Sequence, residues 1–362
     1  MKRLLDPDSL RALARGCAVL GAGGGGDPYQ GLLQALQATE DYGPALLVDI
    51  DELPDDSLIM PCGSIGAPTV SVEKLENGDE GERLRQQLEY LTGRRVAALM
   101  ASEIGGANGV LPVAWAAGMG LPLVDADGLG RAFPEIPQVT MQLAGIPASP
   151  AVITDERGNL IVFQTISSDW MERLERAAAA EFGGAASSTE FSLTAAEART
   201  ATIHGSVSLA IRIGEAVTGA TGDPVAALIA EIGAFRLITG KVLDVERQTR
   251  SGFVRGYVIV EGLGADAGRL LRLELQNENL VALERGGVLA SVPDLITVLD
   301  TETADAIATE RIRYGQRVTV IAFPCDPVWR TERGIAATGP RAFGYDFDYV
   351  PVEELAGASA TA

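Results

Sequence analysis

The hydrophobic period changes at Gly233. Before it, short apolar runs alternate with helical stripes and glycine-rich loops. After it, apolar residues recur at every second position. A chain with such a break has to build two kinds of architecture. The first part predicts a three-layer α/β domain with a largely parallel sheet. The second predicts a small antiparallel β-barrel or sandwich, with the barrel preferred. The 362 residues suit two domains. The expected division is 1–166 for the α/β domain and 167–354 for the second, with a helical segment at 167–233 and the barrel at 234–354.

Local signals give the elements. Asp6-Pro7 opens a helix, because Asp caps free N–H groups and Pro suits the first turn. Leu10, Leu13, Cys17 and Leu20 follow at helical spacing. Asp27-Pro28 repeats the start signal ahead of Leu32, Leu33 and Leu36. Residues 45–50, 57–61, 96–100 and 121–124 read as buried strands, and 83–91 and 110–119 as helices. Residues 151–154 and 160–165 read as a hairpin. Residues 168–182 and 195–217 read as helices, with the Gly/Ala/Ser stretch between them as a loop. Strands are expected at 237–247, 252–261, 270–276, 280–284, 295–299 and 317–323, and a frayed tail at 355–362.

Charge and residue counts exclude whole classes of function. Against 29 Lys+Arg stand 49 Asp+Glu, a formal net charge of −20. Nucleic acid and anionic membrane surfaces need a basic footprint, so neither is an expected partner. A single His excludes three-His and HExxH zinc sites. Three cysteines without a CxxC pair suggest reduced thiols. No apolar run approaches the ~20 residues needed to cross a bilayer, and no signal peptide is visible. A cytoplasmic protein acting on a small molecule is the expectation, with homo-oligomerisation open.

Four glycine-rich segments carry the chemistry. The first, Gly21 to Gly26, contains the literal GxGxxG string. A helix rather than a strand precedes it, which argues against a dinucleotide site. Its glycines, with Gly24, Gly25 and Asp27 foremost, instead suit close approach of backbone to a ligand or tight packing. The others are Gly63 to Pro68, Glu103 to Gly109 and Asp125 to Gly128. Loops after parallel strands share one edge of a sheet, where ligands bind. Glu103, Gly105, Gly106, Asn108, Asp125 and Asp127 are therefore expected to converge, with Arg131 and Glu135 close behind. Carboxylates, an amide and a guanidinium can move protons and orient a ligand. The plainer reading has Asp127 capping a helix and Glu103 facing solvent.

Other residues compete for roles. Glu103, Asp125, Asp127 and Glu135 have the chemistry of an Mg²⁺ or Mn²⁺ oxygen site, but their spacing matches no metal motif. No metal ligand or cofactor is therefore assigned. His204 is either a general base or a polar residue at a helix start. Cys62 and Cys325 are nucleophile candidates with only one His to share. Gln276-Asn277-Glu278-Asn279 is either a hairpin turn or a polar cluster aimed at a ligand. Trp329, Arg330, Arg341, Phe343 and Tyr345 form a lid or an interface patch.

Several of these stretches together resemble the S-methyl thiohydantoin desulfurase family. They are Leu20–Pro28, Glu103–Asn108, Asp125–Glu135, Gln276–Glu278 and Gly339–Tyr345, and the resemblance runs from about residue 8 to 353. It implies an α/β domain followed by a barrel-like domain. It also implies hydrolysis of an S-methylated thiohydantoin to a hydantoin with release of methanethiol. Such chemistry needs a base for water, with Asp125 or Asp127 as candidates, and an acid, with Glu103 or Glu135. Asn108 and the 105–106 backbone would donate to developing charge, and Arg131 would hold a substrate carboxylate. Asn277 and Glu278 would reach the ligand from the second domain. The alternatives are a hydantoinase- or oxoprolinase-type ring hydrolase, a non-catalytic accessory subunit of such a system, and a nicotinamide-dependent enzyme.

Overall fold

The computed structural model describes residues 2–66, 70, 74–250 and 253–359. Ten strands form the first sheet: β1 (Arg3–Leu4), β2 (Leu46–Val48), β3 (Leu58–Gly66), β4 (Val96–Ala101), β5 (Leu123–Asp127), β6 (Ala151–Thr154), β7 (Leu160–Phe163), β8 (Ala185–Thr189), β9 (Leu193–Thr194) and β10 (Ile203–His204). The main order is β1-β2-β5-β4-β3-β8-β6-β7, with β10 on β5 and β9 on β3. The central run β2-β5-β4-β3 is parallel. The flanking pairs are antiparallel, so the sheet is mixed around a parallel centre.

Local chemistry explains the helix starts. Asp6 accepts from Ser9 N at 2.8 Å to cap the helix Pro7–Leu20. Asp27 accepts from Tyr29 N at 3.0 Å at the start of Tyr29–Tyr42. The expected helix at 195–217 is broken. It splits into Ala195–Ala201 and Ser206–Thr218, with β10 between them and Gly205 at φ 74°.

Three expected loops are strands. The segment Gly63–Gly66 continues β3 because it pairs with β8; Ala67 and Pro68 of that motif lie outside the described residues. Residues 185–189, in the stretch expected as a loop, are β8. Its small side chains are buried between β3 and β6 and give no hydrophobic period. Asp125 and Asp127 lie inside β5, which runs on because β10 pairs with its end. The tail forms a helix, Val352–Ser359, rather than fraying there; residues 360–362 lie outside the described residues.

The segment 167–233 packs into the first core. Helices Pro7–Leu20 and Ser206–Thr218 cross at backbone contact. A Cβ on Gly16 would lie 1.8 Å from Ala210 O, and one on Gly214 2.0 Å from Ala12 O. The two glycines let the backbones approach more closely than any side chain would allow. Val207, Ile211 and Leu228 join Leu13, Val48 and Leu99 in one buried cluster.

Seven strands form the second sheet: β11 (Phe235–Arg250), β12 (Phe253–Gly262), β13 (Leu270–Gln276), β14 (Glu278–Glu284), β15 (Gly287–Ser291), β16 (Leu295–Asp300) and β17 (Arg317–Phe323). All its pairs are antiparallel, in the order β15-β14-β13-β12-β11-β17-β16. The expected barrel is open: among the described residues no ladder joins β15 to β16. The sheet curls instead, and one side chain spans its inner gap: Asn279 Nδ2 on β14 donates to Ile296 O on β16 at 2.9 Å. Val258, Leu273, Ile296 and Val320 fill a separate core. No helix among the described residues is long and apolar enough to cross a membrane.

Candidate active site

The second domain is bonded directly to the first glycine loop. Asn279 donates to Ala22 O through both its backbone N and its Nδ2, each at 2.9 Å. Thr309 N donates to Gly23 O at 2.8 Å. Thr297 Oγ1 donates to Val19 O at 2.9 Å. The loop also holds the Glu103–Gly109 segment, because Ala107 N donates to Gly25 O at 2.8 Å. Three sequence-distant stretches are thereby fixed around one cavity of ≈160 Å³ at the domain junction.

Glu103, Asn108, Glu278 and Glu190 form the polar wall, with Ser64, Ser102, Ser188 and Asn277. Leu129, Phe133, Val139, Met141 and Phe191 line the apolar side, and Glu135 and Arg176 also border the cavity. Asn108 orients the first carboxyl. Its Nδ2 donates to Glu103 Oε1 at 2.7 Å, while its Oδ1 accepts from Ser64 N at 3.0 Å and Ser64 Oγ at 2.8 Å. The two Ser64 bonds fix which end of the amide faces Glu103. The other Glu103 oxygen accepts from Phe133 N at 3.3 Å.

Burial dominates the electrostatics. It pushes the Glu103 carboxyl up to about 8, against the opposing effect of the Asn108 bond. Burial also drives Glu278 well above the ordinary carboxylate range, and nearby Glu103 pushes it further, while Arg131 pulls it back. Glu278 Oε2 has no hydrogen-bond partner among the described residues. Glu278 begins β14 directly after Asn277, which sits at φ 57° in a tight β13–β14 turn. Asn277 Oδ1 accepts from Val254 N at 2.9 Å, an anchor that holds this turn over the cavity. Burial raises Glu135 as well, as does neighbouring Glu172.

The structure does not bring every expected residue to this cavity. Asp127 is buried below it. One of its oxygens accepts from Ile104 N at 2.8 Å, Leu129 N at 3.0 Å and Gly130 N at 2.8 Å. It shapes the loop between β5 and Arg131, and burial raises it to about 6. Asp125 turns toward the helix Ser206–Thr218 and accepts from Ser208 N at 2.9 Å and Ser208 Oγ at 2.5 Å. Arg131 is buried away from the cavity. Its Nη1 donates to Pro293 O at 2.5 Å and Asp294 O at 3.1 Å, and its guanidinium lies 4.2 Å from the Phe133 ring centre. It binds the two domains together where a substrate carboxylate was expected.

His204 is exposed on β10 and does not line the cavity. Gly105 and Gly106 pack against Ala132 and the Gly24–Gly25 backbone, and neither lines the cavity. Gly25 lines the cavity, and Gly24 sits beneath Glu278. Asp27 opens onto a different groove, paired with Arg311 at 2.5 Å. Cys62 and Cys325 are buried, which raises both thiols, Cys325 to about 12, and neither lines the cavity. Trp329 is core, with Nε1 donating to Leu129 O at 2.7 Å. Among the described residues, no cluster of three or more His, Cys, Asp or Glu side chains is arranged to hold a metal.

Sequence reasoning missed Glu190, Glu175, Arg176 and Ser64. Glu190 follows β8, whose small residues carry no period. Glu175 and Arg176 lie on the helix Ser168–Glu181, where charged residues ordinarily face solvent.

No curated protein matches the chain. A crystal structure of a protein from Chromobacterium violaceum has the same fold, with a TM-score of 0.81 at 23% identity, covering 97% of this chain and 100% of that one. Residues 8–165 match the S-Me-THD-like N-terminal domain. Residues 166–352 match the S-Me-THD-like C-terminal domain. The protein therefore belongs to the S-Me-THD-like family, the one its glycine-loop and Gln276–Glu278 motifs resemble.

Proposed function

We propose that the protein hydrolyses an S-methyl thiohydantoin to a hydantoin and methanethiol. The observation that carries this reading is the pairing of Glu103 and Glu278 across one small cavity, with different proton affinities. Glu103, raised to about 8, is the group that ionises first. Burial raises Glu278 well above the ordinary carboxylate range, and charge on Glu103 raises it further, which favours its carboxylic acid form. Two acids separated in this way can divide the base and acid roles.

In this reading ionised Glu103 takes a proton from water as its oxygen attacks C2 of the ring. Glu278 gives a proton to the ring nitrogen, so the C=N bond becomes C–N without building up an anion. The C2–O bond is then formed and a tetrahedral carbon carries both OH and SCH₃. When the C2–S bond breaks, the hydroxyl becomes the new carbonyl and its proton passes to Glu278. The proton on Glu103 leaves with the sulfur as methanethiol. Both water protons are thereby accounted for, one on nitrogen and one on sulfur. Asn108 holds Glu103 in line, and the apolar wall around Met141 and Phe133 gives the methylthio group a dry seat.

The test is release of thiol from a panel of S-methyl thiohydantoins by the purified protein. Wild type is expected to release one methanethiol per hydantoin formed, and E103Q to lose about 10²-fold or more in kcat/KM. Absence of thiol release across the panel would overturn the reading.

A further inference from the structure

Behind the polar wall, Glu190 meets a second carboxyl. Glu175 is 0% exposed and Glu190 is 7% exposed, and the side chains lie within hydrogen-bonding reach of each other. Both oxygens of Glu175, and Oε1 of Glu190, find no N–H or hydroxyl donor among the described residues. Two carboxylates cannot bond to each other, whereas a carboxylic acid and a carboxylate can. Burying both as anions would also carry a large desolvation cost. The arrangement therefore holds at least one proton between the two groups. Glu190 borders the cavity and Glu175 does not.

The surroundings favour the proton on Glu175. The groups facing the pair are Glu172 and Arg176 from the same helix as Glu175, Ser188 from β8, and the Cys62 thiol from β3. Burial raises both carboxyls, Glu175 the more; Ser188 bonds to Glu190 and pulls it back, and the bond between the two carboxyls raises Glu175 and lowers Glu190. With the first proton on Glu175, Glu190 presents an acceptor at the cavity wall, whereas burial favours the protonated, donor form of Glu103 and Glu278.

We propose that Glu190 is a ligand-binding residue that accepts a ring N–H, with Glu175 as the positioning residue whose proton keeps it an acceptor. This rests on reading the cavity as the site for a five-membered ring carrying N–H groups. A site built to accept an N–H rejects an analogue that lacks it, because the acceptor is then left buried and unpaired.

The experiment is calorimetric titration of the full chain with hydantoin, 1-methylhydantoin and 3-methylhydantoin. Wild type is expected to prefer hydantoin by about tenfold or more over at least one methylated ring. In E190Q that preference is expected to shrink to about twofold. E175Q keeps a donor toward Glu190, so it is expected to retain the preference. It should also lose the part of the high-pH fall in hydantoin affinity that wild type is expected to show, beyond the ligand's own ionisation, as the shared proton leaves. Circular dichroism of each variant separates these outcomes from loss of the fold, and E175Q alone still gives a reading if E190Q does not fold. Equal binding of all three rings by wild type, including no binding, overturns the proposal, as does a preference unchanged in E190Q or a pH limb unchanged in E175Q. Thiol release from S-methyl substrates is measured separately. Its absence would overturn the desulfurase reading while leaving an N–H preference standing.

Discussion

The carboxyl of Glu278 lies in the space that a side chain on Gly24 would fill. An ideal Cβ there would sit 2.0 Å from Glu278 Oε1, 2.5 Å from Cδ and 2.6 Å from Cγ. Glu278 is buried, so it can yield to a new side chain only by leaving its packed position. G24A is therefore expected to push the acid out of the cavity. Its cost in stability should be about 1–3 kcal/mol, the usual range for overpacking. The loss of turnover should be larger than that shift suggests. Thermal unfolding and a thiol-release assay on the same preparation check this, and unchanged turnover would contradict it.

Asn108 is the only side chain hydrogen-bonded to Glu103 among the described residues, and its own orientation is fixed by Ser64. N108L leaves Glu103 Oε1 and two Ser64 donors without their partner. It should destabilise the protein by about 1–3 kcal/mol per buried group left unpaired. It should also lower kcat more than it raises KM, because Glu103 loses its alignment. Steady-state kinetics over a full substrate range separate the two effects.

The Glu103 carboxyl titrates near 4.5 in an open chain and near 8 in the fold. Between those values the folded protein holds more protons than the unfolded one, so stability falls as pH rises. The contribution is complete below about pH 4.5 and is lost as pH passes through about 8. E103Q cannot titrate. Its Tm relative to wild type should climb steadily from pH 5 to pH 8, and a constant difference would show that Glu103 is not raised. The kcat/KM of wild type should rise with pH through the same limb as the base becomes ionised.

Two of the carboxylates that the sequence marks most strongly are predicted to matter differently. D125N and H204A should retain turnover within about threefold, as surface or supporting changes do. D127N weakens a carboxylate that accepts three backbone N–H groups. It should lower stability by about 1–3 kcal/mol. Measuring Tm and kcat for the three variants beside E103Q tests the division. A D125N loss as large as that of E103Q would return Asp125 to the reaction.

The domain pattern was legible because periodicity reports burial directly. Alternation after Gly233 marked strands β11–β14, β16 and β17, and Asp6-Pro7 marked the first helix to the residue. Glu103, Asn108, Glu135, Asn277 and Glu278 were also legible, as polar residues beside glycines where strands end. Asp125 and Asp127 misled for a specific reason. The strand they follow in sequence is extended by β10, a pairing from almost 80 residues away that no local signal encodes. Glu190 stayed hidden because it adjoins β8, whose Ala-Ala-Ser-Ser-Thr gives neither period nor apolar bulk. The half-barrel form was not legible, since strand count and spacing do not say whether the last ladder forms.

The bonds from Asn279, Thr309 and Thr297 to Ala22, Gly23 and Val19 bear on how a ligand gets in. Parting the domains at the junction would tear the glycine loop from the second sheet and expose several buried carbonyls at once. The loop is bonded to both domains, to Ala107 on one side and to Asn279 and Thr309 on the other. Entry is then left to side chains at the rim, where Arg176 rests 4.2 Å from the Phe253 ring centre and Glu135 stands half-buried. Ligand arrival should follow the rapid rearrangement of those side chains, on the scale of nanoseconds, rather than slow domain opening.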